Sequence, residues 1–283
     1  MSIQVDRSGR RFLLAAKDMS YAFELGETDL PINLYWGRKL ERAEDLPAIR
    51  ELQCYRHRAS WLQQAARQEY PAFFGEFYQE CSLKVTYPDG VRGTRFVFKG
   101  GTVTEADDHD LLTLSFIDAI HPLKLRLYYR VWHDIELIDR WSEIENGLDT
   151  EVNLERYDSA CWQFPATVVD WRLTQLSGRW GKEAMPARLP VTQGKFVMES
   201  RTGLSGPYNV PFFALDDGTA TELAGEVFFG TLQWSGNWQI AVERNSFEET
   251  CVTGGINPFD NLLVLKPGEC FTTPVFSGVH YQR

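Results

Sequence analysis

Leu123-Lys124-Leu125-Arg126-Leu127-Tyr128 alternates aliphatic side chains with polar or aromatic ones, a period of two. Successive side chains of an extended chain point to opposite faces, so this stretch is a strand with one buried and one wet face. The texture recurs on both sides. Ile135, Leu137, Asp139 and Trp141 interleave with Glu136, Ile138 and Arg140. Leu83, Val85 and Tyr87 alternate with Lys84 and Thr86 before the turn Pro88-Asp89-Gly90, after which Arg95-Phe96-Val97-Phe98 returns. Residues 228–234 and 238–242 read as a hairpin around Ser235-Gly236-Asn237, and 262–265 stop at the turn Lys266-Pro267-Gly268-Glu269. Many such segments with turn residues between them imply an all-β chain of antiparallel sheets packed face to face. Helix is confined to 41–68. Leu46, Ile49, Leu52 and Gln53 hold helical spacing after Asp45-Leu46-Pro47, and Ser60 is placed to cap a second short helix running to Arg67.

Composition fits a folded core. The 283 residues are 43% hydrophobic and 24% charged, globular proportions that exclude collagen, a mucin-like stalk and wholesale disorder. The 29 basic against 39 acidic residues leave a net charge of −10, and no Lys/Arg block occurs. An acidic surface repels phosphate, so neither nucleic acid nor a membrane surface is expected as a partner. Phe12-Leu13-Leu14-Ala15-Ala16 is the longest apolar run near the N-terminus, and Lys17-Asp18 end it. It falls short of the roughly 7–15 apolar residues of a signal-peptide core. The five cysteines are odd in number and form no CxxC pair, which points to reduced thiols and a cytoplasmic setting. No repeat or linker interrupts the chain, so residues 1–283 are expected to form a single domain.

Local motifs for chemistry are sparse. Asp107, Asp108 and Asp110, the pair Asp216-Asp217 and the pair Glu248-Glu249 are the acidic clusters. A glycosidase needs two carboxylates facing each other across a bond, whereas neighbours on a strand point to opposite faces, so these clusters read as turns. His57, His109, His121, His133 and His280 show no metal-ligand spacing, and no metal or cofactor is expected. Nucleotide-binding glycine loops and a nucleophile elbow are absent. Nine tryptophans run along the chain. Their faces suit the C–H surfaces of sugars, but they equally fill the cores of large sandwiches.

Four stretches carry a family resemblance. They are Leu34-Tyr35-Trp36-Gly37; Glu69-Tyr70-Pro71-Ala72-Phe73; Gly225-Glu226-Val227-Phe228-Phe229-Gly230 leading into Trp234-Ser235-Gly236-Asn237-Trp238; and Gly255-Ile256-Asn257-Pro258-Phe259, followed by Leu265-Lys266-Pro267-Gly268-Glu269 and Thr272-Thr273-Pro274-Val275-Phe276. In this order and spacing they resemble the N-terminal domain of the α-galactosidases of glycoside hydrolase family 36. The resemblance covers nearly the whole chain, closely in its last third and more loosely in its first 60 residues. Asn209-Val210-Pro211-Phe212-Phe213-Ala214-Leu215 is similar to a loop that family writes HNPFFAL.

The resemblance implies a large antiparallel β-supersandwich with one or two short helices. In the family it packs on a (β/α)8 barrel that follows in the chain and carries an aspartate nucleophile, in a Lys-Trp-Asp motif, and an aspartate acid/base. No Lys-Trp-Asp occurs in this sequence, so no catalytic residue is assigned to it. The implied parent reaction is retaining hydrolysis of terminal α-galactosides through a covalent glycosyl-aspartate. The implied role of the domain is to cap the barrel, shape the substrate pocket and support contacts in a homo-oligomer. Family members reach the pocket with a Gly-Asp-Phe-Arg-Glu-like loop. An ungapped match puts Phe77 at the Asp and Gln79 at the Arg, keeps Glu80, and leaves Glu76 as the acid after a one-residue shift. Tyr208 stands where histidine is common. The candidate substrate-side contacts are therefore Tyr70, Glu76, Gln79, Glu80, Tyr208 and Asn209. A surface facing the barrel would be apolar and exposed in this chain. Two alternatives stay open: a free-standing carbohydrate-binding or scaffold module, and a complete enzyme with its site inside the sandwich.

Overall fold

A computed structural model describes residues 2–26, 29–54, 67–72, 79–165, 167–168 and 170–283, with the backbone alone over 51–54. The chain opens with β1 (Ile3–Val5), β2 (Arg11–Ala15), β3 (Met19–Leu25) and β4 (Pro31–Arg38), a 3-10 turn at Ala43–Asp45 and α1 (Leu46–Cys54). Then follow β5 (Leu83–Thr86), β6 (Phe96–Glu105), β7 (His109–Asp118), β8 (Leu123–Trp132), β9 (Ile138–Asn146), β10 (Val152–Gln163), β11 (Arg172–Arg179) and β12 (Lys182–Pro190). The last eight are β13 (Gly194–Ser200), β14 (Asn209–Asp216), β15 (Glu226–Leu232), β16 (Trp238–Arg244), β17 (Thr250–Ile256), β18 (Leu263–Leu265), β19 (Cys270–Thr272) and β20 (Phe276–Gln282). They form three antiparallel sheets. One has four strands, β1-β2-β3-β4; a second has six, β13-β16-β17-β10-β18 with β5 also on β10. The third has ten, β12-β11-β14-β15-β20-β9-β8-β7-β6, with β19 also on β9.

The all-β architecture follows from the alternation. In β8 the leucines Leu123, Leu125 and Leu127 and then Tyr129 and Val131 are buried, while Lys124, Arg126, Tyr128 and Arg130 are half-exposed. One main core receives side chains from all three sheets. At its centre Trp36 of β4 stacks on Trp162 of β10 at 4.8 Å, and Tyr21 of β3 meets the same ring edge-on at 5.4 Å. Phe228 of β15 and Phe276 of β20 close the cluster from the ten-stranded sheet. These rings lie flat because glycine sits opposite. A Cβ on Gly278 would come within 2.6 Å of Trp162, and one on Gly254 within 2.6 Å of Phe276. A smaller cluster under α1, with Leu13, Leu34 and Leu46, covers the outer face of the four-stranded sheet.

Several sequence expectations are corrected. The strands around Ser235-Gly236-Asn237 are not a hairpin. β15 pairs with β14 and β20, whereas β16 pairs with β13 and β17 in another sheet. Phe228 and Leu232 on one side, and Trp238 and Ile240 on the other, all enter the core, which they do from two opposed sheets. The turn after Tyr87 forms, with Gly90 N–H bonded to Tyr87 O at 2.9 Å, but β5 joins β10 and β6 joins β7. The helical stretch yields α1; the expected second helix from Ser60 lies outside the described residues, apart from Arg67. In β9 the inward row is Ile138, Arg140, Ser142 and Ile144, and Trp141 is on the outer face.

Arg140 therefore points into the core, and it is matched there. Its Nη2 lies 2.9 Å from Glu69 Oε2, with exposures of 3% and 0% for the two side chains. Tyr21 donates to Glu69 Oε1 at 2.7 Å and Tyr129 to Oε2 at 3.2 Å. Arg140 also donates to the carbonyls of Cys161 at 2.7 Å and Glu69 at 2.9 Å, and lies over the rings of Trp162, Tyr129 and Tyr21. Burial alone would pull the guanidinium pKa down; Glu69, Tyr21 and Tyr129 more than reverse that and hold it charged. Removing one partner of such a pair strands a buried charge, at about 3–5 kcal/mol. Arg140→Met should lower the free energy of unfolding by that amount, read as a lower urea midpoint with the m-value unchanged. The double variant Arg140→Met/Glu69→Gln should recover part of the loss, because no naked charge remains.

Candidate functional site

The six-stranded sheet has one apolar and one polar face. Met198, Trp238, Ile240, Val242, Val252 and Trp162 enter the core. The opposite face carries Lys195 and Glu199 of β13, then Glu243 and Gln239 beside them on β16. Cys251, Thr253 and Gly255 of β17 follow, and then Gln163, Cys161 and Asp158 of β10. Residues 79–81 lie on this face. The Glu80 N–H donates to Glu243 Oε2 at 2.5 Å. Its carboxylate pairs with Arg156 Nη1 at 3.1 Å and, through its other oxygen, with Lys195. Arg156 also donates through Nε to Asp158 Oδ2 at 2.9 Å.

Three carboxylates thus meet two cations, leaving one negative charge in excess. Burial drives Asp158 up to about 6, against the opposing pull of Arg156, and burial raises Glu243 as well. Asp158 Oδ1 and Arg156 Nη2 have no hydrogen-bond partner among the described residues. Glycosidase chemistry requires one carboxylic acid and one carboxylate open to a bond between them. Here Asp158 is fully buried and both Glu80 oxygens are held by cations. The cluster anchors backbone and offers no open acid–base pair.

A second group lies farther along β13. Lys195 and Glu199 are four residues apart, which is roughly 13 Å of strand. Burial would raise Glu199, but Asn257 at 3.1 Å, Gln239 at 3.3 Å and Arg201 at 2.7 Å hold its carboxylate below the ordinary value. Asn209 Nδ2 donates to the Glu199 carbonyl at 2.7 Å. Tyr208 is 60% exposed, and its carbonyl accepts from Gly178 N–H at 2.8 Å.

The six sequence candidates therefore divide. Gln79 and Glu80 belong to the first group, and Gln79 is buried, accepting from Gln163 Nε2 at 3.2 Å. Tyr208 and Asn209 belong to the second. Tyr70 is buried with its hydroxyl 3.2 Å from Ser142 Oγ, inside the core rather than on a surface. Glu76 lies outside the described residues, as does Phe77. The acidic clusters are only partly turns: Asp108 pairs with His109 and Asp217 with Thr219, while Asp110, Asp216 and Glu249 are buried. Among the described residues no group of three His, Cys, Asp or Glu side chains is placed to hold a metal ion. Nor is any described helix long and apolar enough to cross a membrane. Trp36, Trp162, Trp171 and Trp238 are core residues, and Trp61 lies outside the described residues. Trp141 stacks on Tyr128 at 5.0 Å, and Arg130 lies over both Trp132 and Trp141. Trp180 and Trp234 are the two exposed tryptophans among those described. Sequence reading missed Arg156, Asp158, Lys195 and Glu243, which no local motif connects; only strand register brings them together.

With that geometry in place, the family can be stated. The glycosyl hydrolase family 36 N-terminal domain model matches residues 29–266. The chain belongs to this family. It is 28% identical over 299 aligned residues to the α-galactosidase AgaA of Geobacillus stearothermophilus, covering 97% of this chain and 40% of that protein. It is 31% identical over 170 residues to α-galactosidase Mel36A of Lactobacillus acidophilus, covering 60% of this chain and 23% of that protein. The crystal structure of AgaB from G. stearothermophilus superposes with a TM-score of 0.87 at 27% identity, over 100% of this chain and 41% of that one. A variant of AgaA in complex with raffinose gives 0.87 at 27%, over 97% and 41%. This family 36 chain thus spans about 40% of the length of AgaA and AgaB.

The buried Asp158 gives this domain a pH signature. Its folded pKa of about 6 lies above the ordinary 3.8, so between those values the folded chain binds the proton more tightly. Stability from this group is present below about pH 4 and lost as pH rises through 6. Asp158→Asn should remove that loss. Urea melts at pH 4.5 and 7.5 should show the variant gaining roughly 1–3 kcal/mol on wild type at the higher pH.

Proposed function

We propose that this chain is the non-catalytic N-terminal domain of an α-galactosidase, one domain over residues 1–283. It packs on a catalytic (β/α)8 barrel and shapes the mouth of its galactoside pocket. The observation that carries the reading is that a family 36 N-terminal domain fold fills the chain while its two carboxylate groups are both closed by internal partners. Hydrolysis then belongs to aspartates on the barrel, through a retaining mechanism with a glycosyl-aspartate intermediate. An apolar surface for the barrel is at hand. Phe259, Leu262 and Leu204 are 57%, 57% and 63% exposed, and Arg201 lies 3.9 Å over the Phe259 ring, joining the loops that bear them. Large apolar side chains exposed on loops joined in this way support a contact surface for the barrel.

Of the described candidate contacts, Tyr208 presents the most exposed side chain, while Glu80 and Asn209 are committed to partners on the six-stranded sheet. In an enzyme containing this domain, Tyr208→Ala should raise KM for an α-galactoside several-fold with kcat nearly unchanged. Tyr70→Phe should leave both constants alone and cost about 1 kcal/mol of stability. The deciding experiment is assay of p-nitrophenyl α-galactoside with the 283-residue chain alone and with the polypeptide encoded by the gene past Arg283. Turnover only with a continuation that contains Lys-Trp-Asp supports the reading. Turnover by the 283-residue chain alone, or a stop codon directly after Arg283, overturns it.

A further inference from the structure

The outer face of the ten-stranded sheet carries a step. Arg130 of β8 lies 5.0 Å from the centroid of the Trp132 ring and 5.4 Å from that of Trp141 on β9. Trp141 in turn stacks on Tyr128 at 5.0 Å, with the two planes 7° from parallel. Rings so close and so nearly parallel overlap face to face, so they stand up from the sheet as a ridge. Asp139 pins that ridge from below. Its Oδ2 accepts from Arg130 Nη2 at 2.7 Å and from Trp132 Nε1 at 3.0 Å.

The other cations of β8 lean the same way. Arg126 pairs with Glu143 and Glu145, and Lys124 with Glu145, all of them across on β9. On the opposite side of Tyr128 the sheet drops to small side chains. Thr113 of β7 faces Tyr128 and Ser115 faces Arg126. Behind them, on the edge strand β6, lie Thr102 and Gly100. A Cβ on Gly100 would meet nothing within 4 Å, so the space over it is open. Trp141 covers one face of the Tyr128 ring, and the other face looks over this low floor.

The chemistry of the shelf selects its ligand. The hydroxyls of Thr102, Thr113 and Ser115 have no hydrogen-bond partner among the described residues, and each can both donate and accept. The charges cancel. Lys124, Arg126 and Arg130 are matched by Glu143, Glu145 and Asp139, which leaves a neutral patch on a chain of net −10. An aromatic face beside unpaired hydroxyls and no net charge suits a neutral pyranose, its C–H side on the ring and its hydroxyls on the floor. Galactose offers such a side, because its axial hydroxyl leaves the C–H bonds of three adjacent carbons together. We propose that this shelf binds a galactosyl ring of a neutral oligosaccharide, stacked on Tyr128 and hydrogen-bonded by Thr113, Ser115 and Thr102. The site lies wholly on described strands of this chain. It stands whether or not a catalytic barrel follows Arg283, so its failure and that of the galactosidase reading show in different assays.

Saturation-transfer NMR on the 283-residue chain tests it, with raffinose as probe and sucrose, which is raffinose without its galactosyl ring, as control. A shallow one-ring site predicts transfer to the galactosyl protons with a Kd of about 1–10 mM, and little transfer to sucrose. Tyr128→Ala should weaken binding about tenfold, whereas Tyr128→Phe keeps the ring face and should leave it unchanged. Thr113→Val/Ser115→Ala keeps the shape of the floor but removes two hydroxyls, and should weaken binding several-fold with thermal melts close to wild type. Tyr208→Ala, on a loop away from the shelf, should have no effect. No transfer to raffinose at about 20 mM, equal transfer to sucrose, or loss of binding with Tyr208→Ala and not with the Tyr128 and Thr113/Ser115 variants overturns the proposal.

Discussion

The structure depends on a short irregular stretch, 67–72, and on the charges it carries into the interior. Gln68 bridges to Ile32 of β4, and the Asn33 N–H bonds Arg67 O at 2.9 Å, which ties the stretch to the four-stranded sheet. Glu69 then reaches Arg140 of the ten-stranded sheet. Gln163 of the six-stranded sheet donates to Gln68 O at 2.9 Å, and Arg67 to the Phe164 carbonyl at 3.1 Å. One stretch therefore bonds all three sheets at the point where the aromatic core is densest. Hydrophobic burial alone is non-directional and sets no single arrangement of one sheet on another. A buried ion pair whose oxygens are all taken tolerates one arrangement, because any other leaves a charge without a partner in a low-dielectric interior.

The same logic operates on the outer face of the six-stranded sheet, with weaker insulation. Residues 79–81 are fixed by Glu80 to Arg156, Lys195 and Glu243 on three strands. Lys195 is partly exposed, so this anchor responds to salt more than the sealed Arg140–Glu69 pair does, while burial raises Glu69 and Asp158 alike. The two ends of the stretch 67–81 are thus tied in different surroundings: a sealed pair at one end and a partly exposed cluster at the other.

The all-β class, the turns and most of the buried rows were legible in the sequence, because a half-buried strand writes its two faces into alternate residues. Leu123 to Val131 is the clearest case. Partner choice was not legible. Trp238 follows Leu232 by six residues and looks like the return arm of a hairpin, yet the two strands belong to different sheets. A crossing between sheets and a turn within one use the same small residues, and only the need for core side chains from both sides separates them. The phase of β9 was hidden for a related reason. Trp141 is the more apolar neighbour, but Arg140 is the inward residue because Glu69, far away in sequence, supplies its counter-charge. Of the candidate site, Glu80 and Asn209 were found by resemblance, while Arg156, Asp158 and Glu243 became visible only through register.

These constraints explain why the buried ionisable groups among the described residues form no open acid–base pair. A catalytic carboxylate must keep a lone pair or a proton available to substrate. Glu69, Glu80 and Glu199 have theirs committed to cations and amides of neighbouring strands. Each commitment fixes a loop or segment relative to a sheet: 67–72 through Glu69, 79–81 through Glu80, and 201–209 with 257–259 through Glu199. Charge here specifies where loops sit, and the loops so held include the exposed Tyr208, Leu204 and Phe259. A rigid sandwich that presents positioned loops is suited to completing a pocket whose reacting groups lie on another domain.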